Sequence, residues 1–121
     1  MRVAVIGSRG LWVENLEDYL PDGVSEIVSG GARGIDRCAR LYAQRHHIQL
    51  TEFLPDYARY GGGAPLRRNG QIVTYADRVL AFWDGRSRGT QHTISLCRAQ
   101  QVPVVVYQVT GGNPPQRLEE L

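Results

Sequence analysis

Residues 29–36 read Ser29-Gly30-Gly31-Ala32-Arg33-Gly34-Ile35-Asp36, SGGARGID, and the fold is decided there. A short strand at 26–28 (EIV) ends at Ser29. A helical stripe begins at Ile35, where Ile35, Cys38, Ala39, Tyr42 and Ala43 recur at the spacing of one helix face. A strand passing through glycines straight into a helix is half of a parallel β-α-β unit. Gly30 and Gly31 permit positive φ and let backbone N–H groups point inward. The following helix start adds amides and partial positive charge. Alone, this loop reads equally as a phosphate cradle and as a tight turn that needs glycine. It is neither a GxGxxG fingerprint nor a Walker loop. Ser29 offers a hydroxyl, and Arg33 a charge for an anion or for solvent. Asp36 falls in the first helical turn, where a carboxylate suits the dipole, so a structural role is as well supported as a catalytic one.

Outward from this loop the same grammar repeats. Residues 2–6 (RVAVI) form a strand closed by Gly7. Leu11, Leu16, Tyr19 and Leu20 follow at helical spacing, ended by Pro21-Asp22-Gly23. Residues 48–53 form a third strand, and 57–64 a loop with three consecutive glycines. Pro65 opens a helix running to about Tyr75. Residues 77–83 (DRVLAFW) form a fourth strand, followed by DGRSRGT at 84–90. Thr90 reads as an N-cap of the next helix, which runs to about Gln100. Residues 103–107 (PVVVY) form a fifth strand, and the tail TGGNPPQRLEEL a turn and short terminal helix. This order predicts an α/β fold: a three-layer Rossmann-like sandwich with a five-stranded parallel sheet and helices on both faces. The 121 residues suit one domain over 1–121.

Composition bounds the chemistry. All 14 basic residues are arginine, which excludes a Walker-type or Schiff-base lysine. Arginine matches phosphate and carboxylate, although GC-rich codon usage explains its excess as well. The net charge of +2 decides little about partners. Cys38 and Cys97 are far apart and read as small buried hydrophobes of a reducing compartment. No His, Asp or Glu set has metal-ligand spacing, so neither a metal nor a cofactor is expected. No apolar run is long enough to span a membrane, and a cytoplasmic location with no membrane partner is the expectation.

In such sheets ligands sit at the carboxyl ends of strands, where strand order reverses. Three glycine-rich loops fall there: Gly7-Ser8-Arg9, the SGGARGID loop, and Asp84-Gly85 through Ser87, Gly89 and Thr90. Arg9 suits pairing with phosphate. Arg67, Arg68 and Asn69 lie in the first turns after Pro65; Arg67 reads as solvated, while Arg68 and Asn69 are candidates to reach a ligand. Trp83 reads equally as a base-stacking and a packing residue, and Tyr57 and Tyr60 as a lid or as loop filler.

Together these stretches resemble the SLOG superfamily, the Rossmann-like group that includes Smf/DprA and LOG proteins, and within it the small YspA-like, YpsA-related branch. SGGARGID is similar to the SGxARGID stretch of DprA-type proteins. ADRVLAFWDGRSRGT at 76–90, GSR at 7–9 and RRN at 67–69 fit the branch. The resemblance implies a nucleotide-derived ligand, a nucleoside monophosphate or ADP-ribose-like molecule, with Gly30, Gly31, Gly89 and Thr90 at phosphate-loop positions. It further implies two alternatives, a LOG-like nucleotide N-glycosidase and a DprA-like binder of single-stranded nucleic acid, and it allows a homodimer. LOG enzymes carry glutamate three residues after the Gly-Thr pair. Thr93 stands there in this chain, and threonine cannot stabilise an oxocarbenium-like centre or activate water as a carboxylate does. The remaining acidic candidates are Asp36 and Asp84. The expected ligand site is therefore Gly7, Ser8, Arg9, Ser29, Gly30, Gly31, Ala32, Arg33, Arg68, Asn69, Asp84, Gly85, Ser87, Gly89 and Thr90, and binding is expected ahead of turnover.

Overall fold

The computed structural model describes residues 1–120, the last two by backbone only. Its strands are β1 (Arg2–Gly7), β2 (Glu26–Ser29), β3 (Gln49–Glu52), β4 (Arg78–Trp83), β5 (Val104–Gln108) and β6 (Gln116–Glu120). Its helices are α1 (Ile35–Arg45), α2 (Tyr57–Tyr60), α3 (Ala64–Tyr75) and α4 (Arg88–Gln100). They build a mostly parallel sheet in the order β3-β2-β1-β4-β5-β6, a Rossmann-like sandwich. The winding direction changes between β1 and β4, neighbours paired in parallel from Val3↔Arg78 to Gly7↔Phe82.

Strand periodicity sorts the core into two layers. Val3, Val5, Ile27, Leu80, Phe82 and Val105 pack on one face beneath Ile35, Ala39 and Ala43 of α1. Ala4, Ile6, Val28, Val79, Ala81, Val104 and Val106 pack on the other beneath Ile72 and Val73 of α3 and Ile94 and Cys97 of α4. Phe82, fully buried, meets Tyr19 edge-on at 5.5 Å and stacks on Tyr107 at 5.1 Å. Cys38 and Cys97 are buried free thiols, as their helical positions suggested. No helix is long and apolar enough to cross a membrane among the described residues.

Four expectations are corrected. The sheet has six strands rather than five, because the tail returns as β6 antiparallel to β5 instead of forming a helix; Leu121 lies outside the described residues. A turn closed by Asn113 N–H on the Thr110 carbonyl reverses the chain, and Pro114 and Pro115 keep it extended. The tail then covers the backbone groups that β5 would otherwise leave open as an edge.

Between β1 and β2 only a 3-10 turn forms, Leu16–Asp18. The four apolar residues expected on a helix face there do reach the core, Leu16 buried and Leu11, Tyr19 and Leu20 packed against it. The segment buries them without forming a helix. Its polar groups also find other partners: Val13 N–H donates to Cys38 Sγ at 3.4 Å, and Asn15 Nδ2 to Asp18 Oδ2 at 2.6 Å.

Residues 57–63 hold the one-turn α2 and a 3-10 turn, Gly61–Gly63, rather than an open loop. Asp56 caps α2 by accepting from Arg59 N–H at 3.1 Å. Finally, α4 begins at Arg88, and its N-cap is Ser87 rather than Thr90.

Candidate ligand cleft at the β1–β4 switch

Where β1 and β4 end side by side, α1, α3 and α4 start around a cleft of about 430 Å³. The walls come from four separate stretches: Gly7, Ser8 and Arg9; Gly30, Ala32 and Asp36; Arg68 and Asn69; Asp84, Ser87, Gly89 and Thr90. Eleven of the fifteen expected ligand-site residues, and both acidic candidates, thus meet in one place. Their convergence follows from topology, since each stretch succeeds a strand carboxyl end or opens a helix beside one.

Four expected residues stand elsewhere. Ser29 is fully buried, and its hydroxyl is spent within the loop: Oγ accepts from Gly31 N–H at 3.3 Å and donates to the Asp36 carbonyl at 3.4 Å. Gly31, at φ +72°, faces Leu54 and Glu52. Arg33 is exposed, and Gly85 forms the outer turn at φ +82°. Trp83 does not line the cleft either; its indole N–H donates to the Ser87 carbonyl at 3.0 Å and braces that loop. Tyr57 and Tyr60 also lie outside the lining.

The two acids differ in kind. Asp84 Oδ1 accepts from Arg86 N–H at 2.8 Å and Ser87 N–H at 2.7 Å, so its charge is engaged in holding its own turn. Those amides, Ser87 first, hold its carboxyl below the usual range. Asp84 N–H also donates to Ser8 Oγ at 3.2 Å, tying the β4 loop to the β1 loop. Asp36 is only 6% exposed. Burial pushes its carboxyl up to about 6, helped by Glu52 and opposed by the Ala32 amide, Arg68 and Arg9. Oδ2 accepts from Ala32 N–H at 3.1 Å.

Arg68 reaches in from α3. Its Nη1 donates to the Gly30 carbonyl at 2.6 Å and its Nε to Asn69 Oδ1 at 3.0 Å; Asn69 Nδ2 in turn lies 3.4 Å from His92 Nδ1. Partial burial lowers the guanidinium's pKa, and Asp36 pulls it back. Gly30 makes this possible: Arg68 Nη1 lies 2.5 Å and Asp36 Oδ2 3.0 Å from where a Cβ would stand. Gly34 is required one turn later. Its φ is +70°, and a Cβ would strike the Ser8 and Arg9 carbonyls, so glycine here lets the β1 loop cross the start of α1.

The two helix starts are consequently unlike. At α1 the Ala32 amide is already taken by Asp36. The first turn of α4 carries no acid, and Gly89 opens onto free space beside Thr90. Thr93 donates its hydroxyl to the Gly89 carbonyl at 3.1 Å, so it supplies neither acid nor base. Residues not singled out for the site from sequence complete the lining: Ile6, Gly10, Pro65, Leu66, Ile72 and Thr93. The helical spacing of Pro65, Asn69 and Ile72 was the signal that would have found the α3 face, and Thr90 and Thr93 that of α4. Among the described residues no group of His, Cys, Asp and Glu is arranged to hold a metal ion.

The model of the YspA, cpYpsA-related SLOG family matches residues 1–60. The Gene 61 protein of Mycobacterium phage D29 is 33% identical to this chain, in a match that covers 86% of this chain and 94% of that protein. The chain belongs to the YspA, cpYpsA-related SLOG family. Its fold is similar to that of DNA processing protein A from Helicobacter pylori, with a TM-score of 0.69 over 96% of this chain and 68% of that one, at 21% identity. That structure was described for its single-stranded DNA binding mode. At this identity the likeness bears on fold alone.

Proposed function

We propose that the cleft binds a nucleotide-derived ligand, a nucleoside monophosphate or an ADP-ribose-like molecule, as a binding or sensing module without turnover. The observation that carries this reading is the meeting, at the β1–β4 switch, of four glycine- and arginine-bearing stretches drawn from Gly7 to Thr90. The phosphate goes to the start of α4, at Gly89 and Thr90, where the first helical turn carries no acid. Arg9 and Arg68 complete the positive lining. Pro65, Leu66 and Ile72 give the apolar wall on which a base can lie. Turnover is not favoured, because Thr93 replaces the acid of LOG enzymes and the Asp84 carboxylate is engaged by its own loop.

Thermal-shift measurements with nucleoside monophosphates, NAD and ADP-ribose test the reading. A ligand at 100 times its Kd adds about 2.7 kcal/mol, so a clear rise in Tm is expected from at least one of them. No rise from any at millimolar concentration refutes it.

A second reading, single-stranded nucleic-acid binding, draws on the likeness to DNA processing protein A and on Arg9, Arg33, Arg86 and Arg88, which are exposed near the same sheet edge. Neither ion pair found among the described residues, Arg2–Asp77 and Arg40–Glu52, uses them. Filter binding of a single-stranded oligonucleotide at low and high salt checks it: an electrostatic mode requires affinity to fall steeply with salt.

A further inference from the structure

The nucleotide reading leaves open which part of the ligand meets Asp36. Oδ2 is held by Ala32 N–H, and Oδ1 has no hydrogen-bond partner among the described residues. No fully buried side-chain oxygen or nitrogen is left unpartnered among them, so Oδ1 opens to solvent, and the solvent space that Asp36 lines is the cleft. A ligand that fills the cleft strips water from this oxygen. A buried acceptor left without a donor is costly, and a hydrogen bond donated to a charged acceptor is strong. The ligand must therefore present O–H or N–H donors at this point. It cannot present phosphate, which a carboxylate repels. With the phosphate at α4 and the base on the α3 wall, the group between them is the sugar.

Resting on that nucleotide reading, we propose that Asp36 is a specificity-determining residue that accepts from the sugar cis-diol, so that the cleft takes ribonucleotides in preference to deoxyribonucleotides. Gly30 and Arg68 set the selector in place. Gly30 leaves room at the floor, and Arg68, anchored on the Gly30 carbonyl and Asn69, stands beside the carboxylate without an ion pair to it among the described residues.

The test is calorimetric titration at pH 8 of the wild-type chain with AMP, 2′-deoxy-AMP and 3′-deoxy-AMP, and with GMP and 2′-deoxy-GMP. The expected result is about tenfold or greater loss of affinity for each deoxy compound, the scale of one lost hydrogen bond to a charged group. In Asp36→Asn the ribo preference is expected to shrink to about threefold or less. Equal wild-type affinity for ribo and deoxy compounds overturns the proposal and leaves the nucleotide reading standing. So does discrimination that follows the base rather than the sugar, or full ribo preference retained by Asp36→Asn. Absence of binding by every nucleotide overturns both. The wild-type ratio decides the matter even where the variant does not fold.

Discussion

Replacing Asp36 by asparagine is expected to stabilise the protein at neutral pH, by an amount that vanishes in acid. The carboxyl is lifted from an ordinary 3.8 to about 6, chiefly by burial. A shift of about two units corresponds to about 3 kcal/mol. The sign follows from proton linkage. Below pH 4 the side chain is protonated whether the chain is folded or not, and it contributes no difference. Between about pH 4 and 6 the folded protein keeps a proton that the unfolded chain has released, so stability falls as pH rises. Above about pH 6 the loss is complete. Asparagine has nearly the same shape, keeps an oxygen for Ala32 N–H, and does not titrate. In a chain of 121 residues about 3 kcal/mol is worth roughly 10 °C in Tm. Scanning calorimetry of both proteins from pH 4 to 8 reads the difference directly, because the other titrating groups are common to both. The variant's Tm should match wild type near pH 4 and exceed it by up to about 10 °C at pH 7.5. A difference that does not change with pH, or a variant less stable at pH 7.5, refutes the reasoning.

Gly34→Ala is expected to cost about 1–3 kcal/mol from backbone strain, with a further loss from the clash with the Ser8 and Arg9 carbonyls; Gly112→Ala, which meets open space, should stay within about 0.5 kcal/mol in the same urea melts. Asp84→Ala should lower stability by about 1 kcal/mol or less at pH 7, since the side chain is largely solvated, by freeing the Arg86 and Ser87 amides. Its folded carboxyl sits below the usual range, so that contribution is present above about pH 4 and is lost as pH falls below it; melts at pH 7 and pH 3 show the difference shrinking. Burial raises both thiols, Cys97 to about 11, so a disulfide reagent at pH 8 should label neither until urea unfolds the chain and then label both; rapid labelling of the native protein would contradict their burial.

The sheet was legible because the strands are β-branched runs bounded by glycine and proline, and alternation along each one assigns its faces. The helices α1, α3 and α4 were legible from their apolar spacing. Residues 11–20 carry an equally regular pattern and bury it as predicted, yet they make only a single 3-10 turn. Periodicity reports which side chains go inward, not which hydrogen bonds carry the backbone there. The tail failed for the opposite reason: β6 exists because β5 needs a neighbour, a tertiary demand with no local signal in QRLEEL. At the cleft, residue types marked the loops that meet there, but chemistry within each loop was hidden. Nothing in SGGARGID announces that Ser29 bonds inside its own turn or that Asp36 takes the Ala32 amide.

That internal chemistry reverses the roles the two glycine loops carry in the sequence. Both follow a strand, both open a helix, and both hold glycine, hydroxyl and acid. In the β4 loop the acid lies at the rim and is engaged by the amides of its own turn, and the first turn of α4 beyond it carries no acid. In the SGGARGID loop the acid lies in the floor and half its acceptor capacity stays unused. A small domain has only about 5–15 kcal/mol of net stability, so a carboxylate whose burial costs about 3 kcal/mol is an expensive residue to keep. A structural role does not explain it, because asparagine would fill the same space and accept from the same amide without the charge. The ionised oxygen facing the cleft is what asparagine lacks, and a ligand's donors are what such an oxygen serves.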